Sequence, residues 1–269
     1  MTRVALFLAV LAAVFAAAFA IGRLAPADEA GAETPPAPAH GGGGGHGDAG
    51  GEAGGAHASA LRLVPARTTL PAGRGVQFAF RVVDAEGRAV RDFDVAHAKK
   101  MHLIVASRDL SEFHHLHPAL DEQGVWRTTL RAARPGGYVA FADFTRAGER
   151  TVLRSDLFAP GRVVAKPIPR EWPHAEVDGY EVLAARHEDG MLSFAVTRDG
   201  ERVRLQPYLG ANGHLVVLRA GDLEYLHVHP HGDGLAFENE FPTAGTYRGF
   251  LQFRAGGSVH TAAFTFDVA

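Results

Sequence analysis

Apolar residues in this chain fall in short runs rather than long stripes. VQFAFRVVD (Val76–Asp84) and MHLIVAS (Met101–Ser107) are rich in Val, Ile and Phe, and Gly, Asp and Pro separate such runs at intervals of roughly ten residues. No stretch keeps the 3.6-residue apolar period of an amphipathic helix. Short strands with regular turn signals predict an all-β protein of the sandwich type.

The same pattern occurs twice. His102-Leu103-Ile104-Val105 through Phe113-His114-His115-Leu116-His117-Pro118 matches His214-Leu215-Val216-Val217 through Tyr225-Leu226-His227-Val228-His229-Pro230, at an offset of 112 residues. Downstream, Gly137-Tyr138 and Phe141–Phe144 echo Thr246-Tyr247 and Phe250–Phe253; upstream, Phe78–Val82 echoes Leu192–Val196. The repeat predicts two tandem immunoglobulin- or cupredoxin-like domains, 61–159 and 179–269. The segment 160–178, with Pro160, Pro167, Pro169 and Pro173, reads as a semi-rigid connector.

Two segments lie outside the repeats. Residues 1–23 hold one early Arg and then about 18 apolar residues, enough for roughly 27 Å of helix, close to a bilayer's hydrocarbon thickness. We read an export signal: an uncleaved membrane anchor, or a signal peptide cut after Ala18-Phe19-Ala20. Either places the domains outside the cytoplasm, membrane-bound in the first case and secreted in the second. Residues 24–60 are dominated by Gly, Ala, Pro and His and read as a disordered tether, in which His40, His46 and His57 are either a weak metal-gathering arm or incidental.

Composition then narrows the chemistry. The chain has 15 His and no Cys. Without Cys there is no disulfide framework, thiolate zinc site, iron–sulfur cluster, blue-copper centre or lipid-bearing Cys. A net charge of −3 gives no field that would favour nucleic acid. There is no Gly-rich phosphate loop, G-x-S-x-G or H-E-x-x-H.

The histidines carry the sharpest signal. A two-residue hairpin turn at Arg108-Asp109 would set His102 opposite His115 and Lys100 opposite His117. His115 and His117, two apart on one strand, share a face. The second copy, turning at Ala220-Gly221, would set His214 opposite His227 and Asn212 opposite His229. Three imidazoles per domain could then meet one ion at ~2.0–2.1 Å. The expected sites are His102, His115 and His117 in the first domain and His214, His227 and His229 in the second, one ion each. Nitrogen donors suit copper, which heads the affinity order, with zinc possible. Met101 is a weak additional candidate that an ideal strand points into the core. His114 should face away, and His231 could be a fourth ligand in the second copy. His97, His174, His187 and His260 have no partner in the other copy and read as ordinary residues.

KKMHLIVASRDLSEFHHLHP followed by GGYVAFADF resembles a class of poorly characterised bacterial extracytoplasmic proteins, mainly over 76–158 and more weakly over 190–268. Some of these are associated with heavy-metal and copper handling. The resemblance implies an immunoglobulin- or cupredoxin-like sandwich outside the cytoplasm and carries no ligand assignment. Three readings stay open. The first is a metal chaperone, buffer or sensor at the membrane surface. The second is a structural or interaction protein whose histidines are packing. The third is a metal-dependent enzyme using Glu112, Glu224 or Asp143 as base.

Overall fold

The computed structural model describes residues 61–170, 172–187, 190–226, 228–230, 234–239 and 241–269. The expected anchor, the tether, His227 and His231 lie outside these residues. Among the described residues no helix is long and apolar enough to cross a membrane.

The protein is all-β, with two tandem sandwiches. In the first, β1 (Arg62–Pro65) and β2 (Gly75–Val83) belong to one sheet, and β3 (His102–Ser107) and β4 (Phe113–Leu116) to the other. Next come β5 (Ala119–Leu120), β6 (Trp126–Arg131), β7 (Gly136–Arg146) and β8 (Glu149–Ala159), giving sheet orders β1-β2-β6-β5 and β4-β3-β7-β8. The second sandwich opens with β9 (His174–Val177), β10 (Tyr180–Arg186), β11 (Leu192–Arg198) and β12 (Glu201–Arg202). It continues with β13 (Gly213–Arg219), β14 (Tyr225–Leu226), β15 (Val228–Pro230), β16 (Ala236–Asn239), β17 (Gly245–Ala255) and β18 (Ser258–Val268). Its sheets run β15-β16-β11-β10-β9, with β12 on β11, and β14-β13-β17-β18.

Each sandwich closes on its own core through the strand period of two. On β2, Phe78, Phe80 and Val82 turn inward against Leu103, Val105, Tyr138 and Phe144. In the second domain Val182, Phe194 and Val196 meet Val217, Leu251 and Phe253. Both copies carry a tyrosine corner, an immunoglobulin-fold device in which a tyrosine hydroxyl bonds backbone a few residues upstream. Tyr138 Oη lies 2.8 Å from the Arg134 carbonyl, and Tyr247 Oη 2.6 Å from that of Thr243.

All six residues of β3 are buried. Leu103 and Val105 fill the first core, while Ile104 and Ala106 face away from it into a third apolar cluster with Leu110, Val139 and Phe141. That cluster also holds Val216, Leu218, Leu223 and Phe250 of the second domain. The outer faces of the two histidine-bearing sheets therefore pack against each other.

The contact is reciprocal. Phe113 of the first domain stacks on Phe250 of the second (centroids 4.2 Å, planes 7° apart), and Tyr225, the repeat equivalent of Phe113, packs on Phe141, the equivalent of Phe250 (5.3 Å). The proline-rich segment is tied down beside this interface. The Lys166 amide donates to Asp109 Oδ2 at 3.0 Å, and Ile168 packs on the shared cluster.

Candidate metal centre

Strand register places the histidines, and here the structure corrects the hairpin expectation. Ile104, not His102, pairs with His115, and Ala106 pairs with Phe113. The turn holds four residues, Arg108 to Ser111, closed by Ser107 N–H donating to Glu112 O at 2.9 Å. Asp109 Oδ1 accepts from Ser107 Oγ and Ser111 N, and Leu110, which a two-residue turn at Arg108-Asp109 would put on the strand, takes φ 54° within the turn. The second copy shows the same two-residue shift, with Leu218 opposite Tyr225. Because the shift is even, every side chain keeps its face. His102, His115 and His117 still share one, and it is the face buried against the second domain.

His102, His115 and His117 each bring a ring nitrogen within 4.8 Å of the others. Ring centroids are 4.8–5.2 Å apart. His102 Nδ1 lies 2.9 Å from His115 Nε2. The other nitrogen of each ring is committed. His102 Nε2 lies 3.3 Å from the Ala96 carbonyl, which can only accept, so Nε2 carries the hydrogen and Nδ1 is bare. His115 Nδ1 lies 2.6 Å from Gln252 Oε1, while the same amide's Nε2 donates to Thr261 Oγ1 at 3.2 Å. With the amide oxygen towards His115, as here, the ring carries its hydrogen on Nδ1 and Nε2 is bare; the Thr261 hydroxyl can serve either end of the amide.

Two lone pairs then face each other at 2.9 Å. Such a pair needs a proton or a cation between. Burial disfavours the proton: it pushes His115 well below the ordinary 6.5, helped by neighbouring His102 and His117. Burial, then His102, Lys99 and His214, bring His117 down to about 4. His117 Nε2 is itself buried without a hydrogen-bond partner. Neutral imidazoles anchored through one nitrogen and bare at the other are the state in which histidine binds metal. Two nitrogens ~2.05 Å from one ion would be about 2.9 Å apart at a right angle and about 3.3 Å at the tetrahedral angle.

His214 of the second domain lies against this same cluster, with centroids 6.2 Å from both His102 and His115. His229 sits on β15, where its backbone pairs with Glu238 in the second domain's other sheet rather than with Asn212. Met101 is buried in the first core, away from the histidines. His114 faces away and lies 2.9 Å from Glu112 Oε1. His187 contacts Ser193, His260 contacts Asp178, and His174 is exposed. Glu112 is held by Tyr138 and His114, and Asp143 by Arg150 and the Tyr225 hydroxyl.

Two residues of the site escape sequence reasoning. His97 lies in the loop before β3, 5.5 Å from the His214 ring, at the tip of a two-residue turn between Ala96 and Lys99 in which His97 and Ala98 take φ 49° and 60°. Gln252 reaches His115 across 137 residues of sequence through the domain interface. The alignment of Gln252 with Asp143 was available as a signal for the second.

The fold and the site define a tandem pair of immunoglobulin-like sandwiches with a histidine cluster at their junction. The chain belongs to the family of the domain of unknown function DUF8832, whose model matches residues 60–159 and 175–269. No curated protein matches the sequence. Similar solved structures include FdeC, an Escherichia coli adhesin, at 12% identity (78% of this chain, 64% of that one, TM-score 0.27). Salmonella alpha-2-macroglobulin is 14% identical (77% and 14%, TM-score 0.29), and invasin, a bacterial integrin-binding protein, 16% (76% and 39%, TM-score 0.22). This chain spans less than two thirds of each, and at these TM-scores the likenesses carry no argument. The matched family assigns no ligand, so copper rests on donor chemistry alone.

Proposed function

We propose that this chain is a non-catalytic, two-domain interaction protein acting outside the cytoplasm, and that its domain junction holds a transition-metal ion on His102, His115 and His117. The observation that carries the metal is the approach of His102 Nδ1 and His115 Nε2 to 2.9 Å in a part-buried cluster that also holds His117; both nitrogens are bare when the Gln252 amide oxygen faces His115. All three donors are imidazole, and Met101 is turned away, which favours copper(II), then zinc, over copper(I). An apolar segment at residues 1–23 supports attachment to the membrane, and fractionation at high salt tests it.

A second reading has its own support. If the Gln252 amide is turned over, its nitrogen donates to His115, His115 Nε2–H donates to His102, and the histidines are packing at a structural interface. Loading the full-length chain with copper(II) or zinc, washing with a weak chelator and measuring retained metal separates the two. A metal site retains ion in the wild type, loses it in His115→Ala, and keeps it in Gln252→Glu, whose carboxylate can only accept. If the wild type retains none and Gln252→Glu is destabilised, the histidines are packing and the metal reading is withdrawn.

A further inference from the structure

We infer that the site is shared between the domains: His214 supplies a fourth imidazole to the ion held by His102, His115 and His117, so one ion binds per chain and bridges the two sandwiches. This rests on the metal reading above and replaces the expectation of one ion per domain.

The first argument is reach. With ~2.05 Å to the nitrogen and about 1.15 Å from nitrogen to ring centre, two imidazoles on one ion have centroids no more than about 6.4 Å apart. The centroids of His214 and His102, and of His214 and His115, are 6.2 Å apart, and those within the triad 4.8–5.2 Å. Each of these five separations falls inside the pairwise limit, but the His102–His115–His214 triangle has a circumradius of about 3.4 Å against a reach of about 3.2 Å, so His214 closes by a few tenths of an ångström when it joins the ion.

The second argument is the state of the ring. His214 Nε2 lies 3.2 Å from the Tyr208 carbonyl, as His102 Nε2 lies 3.3 Å from that of Ala96. Ala96 and Tyr208 are themselves repeat equivalents, each closing the turn ahead of its histidine strand through bridges Ala96–Lys99 and Tyr208–Ala211. The same backbone device thus puts the hydrogen on Nε2 in both rings, with Leu209 a second backbone neighbour of His214, and makes Nδ1 the nitrogen available to an ion.

The third argument is symmetry. Phe113 on Phe250 and Tyr225 on Phe141 are one contact made in both directions, as at a two-fold dimer interface. Equivalent residues near such an axis meet, and His102 and His214 are equivalent. They line a junction cleft of about 270 Å³ together with His97, His115 and Asp143.

The test uses copper(II) alone as probe, with the full-length chain and glycine as competitor to strip weak binding by the tether histidines. The expected wild type holds one tight copper(II) per chain. His214→Ala weakens that site at least about tenfold. Should His214→Ala unfold, zinc binding to wild type labelled with ¹⁵N-histidine supplies the answer, because a shared ion shifts the imidazole resonances of four histidines, His214 among them. Two tight ions per chain overturn the shared site. So does His214→Ala with wild-type affinity, or a zinc-bound protein in which the His214 resonance stays in place. A wild type with no tight ion overturns the metal reading itself, and this inference with it.

Discussion

The two sandwiches differ most at the position beside each leading histidine. In the first domain His102 pairs with Asp143 on β7; in the second His214 pairs with Gln252 on β17. Asp143 is an ion-pair partner: Arg150 Nε donates to it at 2.8 Å, and the buried Tyr225 hydroxyl adds a bond from the other domain. Gln252 is neutral, bonds Thr261 in its own domain and meets His115 in the other. Each thus touches the opposite domain, one with a charged group and one with an amide. A buried carboxylate held by arginine is a fixed local charge, whereas an amide oxygen can orient a neutral ring without adding charge. The repeats share a backbone and divide the polar roles.

The comparison can be broken at the interface. Phe250→Ala removes the tighter of the two reciprocal stacks and should cost about 3–5 kcal/mol in urea unfolding. Tyr225→Ala, at the looser stack, should cost a similar amount and also strand the Asp143–Arg150 pair. A loss under about 1 kcal/mol for Phe250→Ala would mean that the domains do not rely on this contact.

The tyrosine corners sharpen the comparison. Tyr138 Oη also lies 2.7 Å from Glu112 Oε2, while among the described residues Tyr247 Oη is hydrogen-bonded to Thr243, through its carbonyl and its hydroxyl. Tyr138→Phe leaves a half-buried carboxylate short of a donor and should cost ~1–3 kcal/mol, against ~0.5–1.5 for Tyr247→Phe. Equal costs by thermal or urea unfolding would show that Glu112 adds nothing.

The smallest expected effect is on pH dependence. Burial raises the Glu112 pKa, but bonds from His114, the Ala133 amide and Tyr138 outweigh it and hold it below the ordinary 4.5. Asp109 is held far below 3.8, where bonds from Ser107, Lys166 N–H, Ser111 and Arg134 overcome burial. Both stay ionised in the fold while the unfolded chain takes up protons. Their stabilisation is therefore complete above about pH 4.5 and lost as pH falls through the lower folded values. The urea midpoint should decline below pH 4.5, and Glu112→Gln should flatten the upper part of that decline. An unchanged profile in Glu112→Gln would assign the acid sensitivity elsewhere.

Much of this was legible in the residue pattern. The period of two gave the strands, and the ungapped match from His102 to Pro118 gave the duplication. Face was also legible, because an alternation survives any even error in register. The register itself was not: Arg108-Asp109 resembles a two-residue turn, and only the Ser107–Asp109–Ser111 bonding makes it a four-residue one. The domain interface was missed for a related reason. HLIVAS and HLVVLR are apolar at every position after the histidine except Ser107 and Arg219, which signals strands covered on both faces but does not name what covers them. Gln252 and His97 join the cluster only once that covering partner is known.

The reciprocal packing of Ile104, Phe113 and Phe141 on Val216, Tyr225 and Phe250 has a consequence for the chain as a duplicated gene product. A self-complementary face on a lone domain binds a second copy of itself, and in that homodimer every change appears twice, once on each side of the axis. Joining the copies in one polypeptide keeps the contact intramolecular at any concentration and lets a change fall on one side alone. Aspartate at 143 and glutamine at 252 are such a pair of one-sided changes. The proline-bearing connector between the domains is, in this sense, what permits a symmetric surface to carry an asymmetric set of polar side chains.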